Sequence, residues 1–129
     1  LAVYQAREDV QAIVHTHSPH ATALACLLKP GCSIPPYTPG YAYSVRHLQF
    51  LPYYRPGSQA LADAIRQDAS LANGFLLQNH GVVALGGSLR EALGIAEEIE
   101  DNCRLYLLTQ GQARPLSAEE VEEIWRLMN

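Results

Sequence analysis

The sequence predicts an α/β fold in which helices pack on a mixed or mainly antiparallel sheet. Runs of β-branched and apolar residues alternate with segments that begin with helix-capping residues. The predicted strands are joined partly by tight turns, which connect antiparallel neighbours, and partly by helices. Hydrophobic residues make up 48% of the 129 residues and charged residues 17%. This balance is typical of a chain with a packed core.

The first part of the chain predicts a helix end, a strand and a second helix. Residues 1–7 are typical of a helix with no cap before it, and residues 10–17 form a largely apolar, β-branched run that indicates a strand. Ser18 and Pro19 mark the start of a helix over residues 20–28, because serine can cap a helix and proline fits its first turn.

Residues 32–57 contain five of the seven tyrosines and most of the prolines. This composition predicts turns, with short strands at Ile34, Val45 and residues 48–54. The apolar and tyrosine-rich loops of residues 34–54 are expected to be exposed, which favours a homo-oligomer that covers them.

A hairpin is predicted in the second half of the chain. Strands over residues 74–78 and 82–85 flank Asn79, His80 and Gly81. Asparagine and glycine both tolerate a positive φ, so these three residues predict a tight turn.

Three further helices are predicted by serines at their starts. Ser58, Ser88 and Ser117 each precede an amphipathic segment, and the last two have a glutamate at the spacing of a capping box. The helical segments cover residues 59–68, 89–109 and 118–127.

Composition narrows the classes of function. A formal net charge of -4 argues against a broad nucleic-acid surface and against binding to anionic membranes. No run approaches the roughly 18 apolar residues of a membrane span. The three cysteines are an odd number without a C-x-x-C pair, which favours a reduced, cytoplasmic setting.

The only methionine is Met128, and the chain opens within a predicted helix. We therefore expect an N-terminal stretch to precede Leu1. Residues 1–129 are then interpreted as a single domain that lacks its N-terminal part.

Three histidines are candidate metal ligands. His15 and His17 lie two residues apart in a predicted strand, so both side chains face the same way, roughly 7 Å apart. Taken alone, this pair is also consistent with surface or core histidines. Together with His80 on the predicted turn, it gives three nitrogen donors, the composition of a catalytic zinc site with open positions.

The sequence around these histidines resembles the class II aldolase/adducin family. The resemblance rests on V-H-T-H-S-P with A-T-A-L-A after it, on L-Q-N-H-G-V-V-A, and on the capping serine of the long helix. The family includes fuculose-phosphate aldolase, ribulose-phosphate 4-epimerase and sugar-acid phosphate decarboxylases. The resemblance implies three layers, with a central sheet flanked by helices. It also implies zinc, or another divalent transition metal, bound by His15, His17 and His80.

The resemblance further implies an acid/base carboxylate and phosphate-binding loops upstream of Leu1. Glu8 lies too near His15 to be that carboxylate, so the catalytic acid/base is unknown within this sequence. Losing a general acid/base typically costs about 100- to 10,000-fold in rate. We therefore expect the 129-residue chain to bind metal and to be nearly inactive.

The predicted function is a zinc-dependent carbon–carbon lyase, of the aldolase or decarboxylase type, that acts on a small phosphorylated sugar or sugar acid. The metal would stabilise an enediolate. Residues 51–57 resemble a stretch of the decarboxylase branch. Tyr41 and Tyr43 are candidate substrate-binding residues, and the family resemblance implies a homotetramer. A 4-epimerase, a non-catalytic adducin-like scaffold and an inactive folded fragment are the alternatives.

Overall fold

A four-stranded sheet lies between helices in residues 1–128, the part of the chain that the computed structural model describes. The strands are β1 (Ala12–Thr16), β2 (Leu48–Leu51), β3 (Gly74–Leu77) and β4 (Gly81–Gly86). The helices are α1 (Ala2–Ala6), α2 (Pro19–Leu27), α3 (Pro39–Ser44), α4 (Gln59–Asp68), α5 (Leu89–Leu108) and α6 (Ala118–Leu127). The strand order is β1-β4-β3-β2, in which β4 is antiparallel to both neighbours and β2 is parallel to β3. The prediction of a mixed, mainly antiparallel sheet is confirmed.

Each face of the sheet has its own apolar core. Leu76 and Val82 point to one face, where they pack with residues of α2, α3 and α5. Phe75 and Val83 point to the other face, where they pack with residues of α1 and α4. Because successive side chains of a strand alternate between faces, β3 and β4 are apolar throughout and buried on both sides. The predicted three-layer arrangement is confirmed.

Helix α3 is absent from the sequence prediction. Thr38 precedes it, and its side chain accepts a hydrogen bond of 3.3 Å from the Tyr41 N–H. A proline fills its first position, the same combination that indicates the start of α2. The strands predicted at Ile34 and Val45 are wrong, because Ile34 lies in irregular backbone and Val45 ends α3.

The expectation that residues 34–54 expose their apolar side chains is wrong in large part. Tyr41, Val45 and Leu51 are buried in the two cores. Helix α6 covers α3, and its Trp125 donates a hydrogen bond of 2.7 Å to the carbonyl oxygen of Ala42. The exposed loops therefore no longer argue for a homo-oligomer, which stays a prediction.

The two predicted capping boxes differ in the structure. At α6 the box is complete, because the Ser117 side chain bonds forward and Glu120 bonds back to Ser117. At α5 only one of the two bonds forms, in which the Ser88 side chain accepts from the Glu91 N–H. The Glu91 carboxylate accepts from the N–H of Gly87 instead of that of Ser88. None of the helices within residues 1–128 has the length and apolarity that a membrane crossing requires.

Asn102 on α5 fastens the loop that precedes α3. Its side chain is almost fully buried, with 1% exposed. Its Oδ1 accepts a hydrogen bond of 3.0 Å from the Tyr37 N–H, and its Nδ2 donates one of 3.0 Å to the Pro35 carbonyl oxygen. Both polar ends of the amide are thereby satisfied, as a buried amide requires.

Replacing Asn102 with leucine should lower the free energy of unfolding by about 2–3 kcal/mol, because it leaves two backbone groups of the loop without a partner. Urea denaturation followed by circular dichroism measures this change. Gln67→Leu, at an exposed position of α4, is the matched control and should change stability by less than about 0.5 kcal/mol. An equal loss in both variants would contradict the role given to the Asn102 amide.

Candidate metal centre

The pairing of β1 with β4 brings the two histidine motifs to one end of the sheet. His15 pairs with Val83, and Thr16 pairs with Val82. His80 directly precedes β4, and His17 directly follows Thr16 at the end of β1. Two motifs about 65 residues apart in the sequence therefore meet where the two strands meet.

The three imidazole rings converge on one point. Their centroids are 4.9 Å apart for His15 and His17, 4.8 Å for His15 and His80, and 5.2 Å for His17 and His80. One nitrogen from each ring lies within 4.8 Å of the other two. The Nε2 atoms of His15 and His80 are 3.2 Å apart. Two nitrogens that bind one tetrahedral zinc ion at 2.0–2.1 Å are about 3.4 Å apart, so the donor set fits a single ion.

A backbone carbonyl sets the tautomer of the His15 ring. The Nδ1 atom of His15 lies 2.7 Å from the carbonyl oxygen of Val82. Because a carbonyl oxygen only accepts, Nδ1 carries the proton and donates it. In the neutral ring the lone pair is then on Nε2, which faces His80. This arrangement fixes both the tautomer and the orientation of a histidine ligand.

The environment of His80 favours the neutral ring. Partial burial lowers the pKa of His80 below its usual value, and the neighbouring His15 and His17 lower it further. A neutral imidazole is the form that binds metal. Near neutral pH, His80 therefore offers a lone pair to the cluster.

Gly81 makes room for the site, which differs from the role predicted for it. In the turn, Asn79 alone adopts a positive φ, of 56°. Gly81 has an ordinary φ, but a Cβ atom there would lie 2.9 Å from Cδ2 of the His17 ring and would overlap the Thr16 carbonyl oxygen. The sequence pattern predicts a conformational reason for this glycine, whereas its role in the structure is steric.

The other candidate residues lie on α3 and in the turn before β1. Tyr41 is buried on α3, and burial raises the pKa of its hydroxyl well above the usual range. Tyr43 on the same helix is 40% exposed. Glu8 is exposed in the turn before β1. Within residues 1–128 the cluster consists of histidines alone, with no carboxylate. The substrate-binding role of Tyr41 and Tyr43 stays a prediction.

The donor set determines what the cluster can do. Three neutral imidazoles leave a divalent ion its full positive charge, and a tetrahedral ion would keep one position open for another ligand. Two of the three rings are exposed to solvent and the third is partly buried. A small oxygen ligand could therefore reach an ion at this point.

Comparison with known proteins finds relatives of this chain. The model of the family described as Class II Aldolase and Adducin N-terminal domain matches residues 1–107. A 3-oxo-tetronate 4-phosphate decarboxylase of Haemophilus influenzae is 42% identical over 96% of the chain and 60% of its own length. An L-fuculose phosphate aldolase of Escherichia coli is 31% identical over 96% of the chain and 57% of its own length.

A solved structure supports the same relationship. The crystal structure of YgbL from Klebsiella pneumoniae superposes with a TM-score of 0.88 at 44% identity, over 95% of this chain and 61% of that one. The chain thus spans about 60% of the length of these relatives. With the family match extending over residues 1–107, the chain belongs to the class II aldolase and adducin family.

Proposed function

We propose that the protein is a metal-dependent carbon–carbon lyase whose preferred reaction is decarboxylation of a small phosphorylated 3-oxo sugar acid. The observation that carries the proposal is the convergence of three histidine nitrogen donors, two of them 3.2 Å apart. The 3-oxo-tetronate 4-phosphate decarboxylase of Haemophilus influenzae, at 42% identity, favours this substrate class over the substrate of the more distant aldolase.

The chain's own residues would hold the ion and limit its ligands. His15, His17 and His80 are the proposed ligands, and zinc is the proposed ion because three histidines with an open position suit it. The Val82 carbonyl holds the His15 ring in place. Gly81 lets the His17 ring lie against the start of β4.

The chemistry of the proposed substrate explains the need for positive charge. When a 3-oxo sugar acid loses CO2, the electron pair of the broken carbon–carbon bond moves onto the oxygen of the neighbouring keto group. Because the carbon that lost CO2 carries a hydroxyl group, the product is an enediolate. A divalent ion held by the three histidines would supply the charge that stabilises this anion. A proton must then return to carbon, and the group that delivers it is not assigned to any residue of this chain.

Aldol cleavage of a ketose phosphate is the second candidate reaction. It leaves the same kind of anion, and the L-fuculose phosphate aldolase of Escherichia coli is 31% identical to this chain. Epimerisation by retro-aldol chemistry is a variant of it. The adducin-like scaffold is less well supported, because such a scaffold has no need of three converging imidazoles.

Assembly into a homo-oligomer, with a tetramer as the family expectation, is part of the proposal. Leu89 and Leu93 lie one turn apart on α5 and are 68% and 47% exposed. They are apolar side chains that a subunit contact would bury.

Replacing His80 with alanine should abolish stable metal binding, because it removes one of three ligands. Metal analysis after dialysis should find about one ion per chain in the parent protein and far less in the variant. The matched control is His47→Ala, because His47 is exposed and its ring lies near Trp125, at 6.3 Å. Undiminished metal in His80→Ala, or an equal loss in His47→Ala, would rule out the proposed site.

Gly81→Ala should weaken metal binding by at least about tenfold, since the new methyl group displaces the His17 ring or the end of β1. Overpacking should also reduce the free energy of unfolding by about 1–3 kcal/mol. Gly94→Ala is the control, because a Cβ atom at Gly94 meets nothing within 4 Å. That variant should keep its metal affinity and gain up to about 1 kcal/mol from helix propensity. Isothermal titration with zinc measures both affinities. Equal zinc affinity in Gly81→Ala and Gly94→Ala would contradict the role given to Gly81.

The reaction is tested with 3-oxo-tetronate 4-phosphate and L-fuculose 1-phosphate as rival substrates. The 129-residue chain and the full product of its gene are assayed in parallel, with and without a chelator. We expect the full product of the gene to release CO2 from the keto acid at a higher kcat/KM than it cleaves the ketose phosphate, and to lose that activity with the chelator. The 129-residue chain should be nearly inactive on both substrates. Faster cleavage of the ketose phosphate would favour the aldolase. Metal binding without turnover of either substrate by the full gene product would favour the scaffold.

A further inference from the structure

A carboxylate from α5 caps the helix that follows the H-x-H motif. Oε1 of Glu100 accepts a hydrogen bond of 2.8 Å from the Ala21 N–H. Its Oε2 accepts one of 3.2 Å from the His20 N–H and lies 2.8 Å from Nδ1 of the His20 ring. One side chain on α5 therefore binds two of the first free N–H groups of α2.

The sequence predicts a different cap at this point. Ser18 occupies the N-cap position of α2, but its side chain makes no capping bond. The first N–H groups of a helix need acceptors, and a negative charge at this end is favoured by the helix dipole. Glu100, 79 residues away from Ala21 in sequence, supplies both.

The Glu100 carboxylate is ionised in this setting. Partial burial acts to raise its pKa, but the hydrogen bonds from Ala21 and His20 outweigh burial, so the pKa lies below the usual value. The acceptor is thus a charged group, and bonds to charged groups are stronger than neutral ones.

This cap lies next to the proposed metal ligands. Only Ser18 separates His17 from the first residue of α2. Thr16, on the other side of His17, is held by the pairing of β1 with β4. The backbone at His17 is therefore fixed on one side by the sheet and on the other by the bonds from α2 to Glu100.

We propose that Glu100 is a positioning residue for His17, which holds the start of α2 so that the His17 ring reaches the same ion as His15 and His80. The inference rests on the proposed metal site. Helix α5 follows β4, which begins at the His80 turn, and it also carries Glu100. Both histidine motifs are thereby tied to one helix. Glu100 touches neither the ion nor the substrate in this role.

Cobalt(II) titration of Glu100→Gln tests the proposal. Glutamine keeps the length of the side chain but removes its charge, and its NH2 group faces an N–H donor on α2. We expect cobalt to bind at least about tenfold more weakly, in line with the loss of groups that orient metal ligands. At saturating cobalt, the visible ligand-field absorption should also change in position or intensity, because a displaced His17 ring alters the geometry of the ion.

Glu97→Gln is the matched control. Glu97 lies one turn earlier on α5 and is exposed, so the substitution removes the same charge without removing a cap. Cobalt affinity should stay within about twofold of the parent chain, with an unchanged spectrum. Comparing Glu97→Gln with Glu100→Gln separates a general effect of charge from the specific bonds to α2.

The outcomes are distinguishable. If the parent chain binds no cobalt, the proposed function fails and the inference fails with it. If the parent chain binds cobalt and a folded Glu100→Gln variant shows lower thermal stability but the same affinity and spectrum, Glu100 is only a helix cap and the inference is overturned. Should Glu100→Gln not fold, Glu100→Asp decides, because it keeps the charge but draws the carboxylate back from the N–H groups of His20 and Ala21. A loss of about threefold in cobalt affinity supports the proposal, and parent-like affinity overturns it.

Discussion

The antiparallel pairing of β1 with β4 is the interaction on which the site depends. It places His15 opposite Val83 and brings the residue before β4, His80, to the same end of the sheet. A shift of one residue in this register would turn His15 to the other face and Val14 out of its core. The apolar residues on both faces of β4 resist such a shift, since all of its residues are buried. The packing of the cores therefore also fixes the geometry of the candidate metal centre.

Backbone atoms and a helix start complete the arrangement. The Val82 carbonyl orients His15, and the absence of a side chain at Gly81 leaves space for His17. Neither group would bind a metal, but both decide where a histidine ring can lie. The Glu100 carboxylate acts on His17 indirectly, because it binds the first N–H groups of α2. A site of three exposed or half-buried rings is thus supported by groups that are mostly part of the sheet and the long helix.

The three histidines favour a class of reaction but do not distinguish between its substrates. A decarboxylase and an aldolase are 42% and 31% identical to this chain. Both reactions break a carbon–carbon bond and leave an electron pair beside a keto group, so the same positive charge stabilises either product anion. Selection between the substrates must come from groups that contact the carboxylate, the phosphate and the sugar chain. The predicted candidates Tyr41 and Tyr43 differ in exposure, and only the second presents a large part of its surface to solvent.

Local sequence was sufficient for β1, β3, β4, α2 and the long helix, because each has a run of apolar residues with a clear period and a capping or turn residue beside it. It also identified His15, His17 and His80, since two histidines at strand spacing and one on a turn are unusual. It failed for α3, where six residues that include two tyrosines, a glycine and a proline have weak helix propensity and depend on cover from α6. The steric role of Gly81, the Val82 carbonyl and the cap from Glu100 could only be decided by the tertiary structure. Each is a contact between segments about 65 to 80 residues apart, and no local pattern records which distant backbone or side chain will fill a given space.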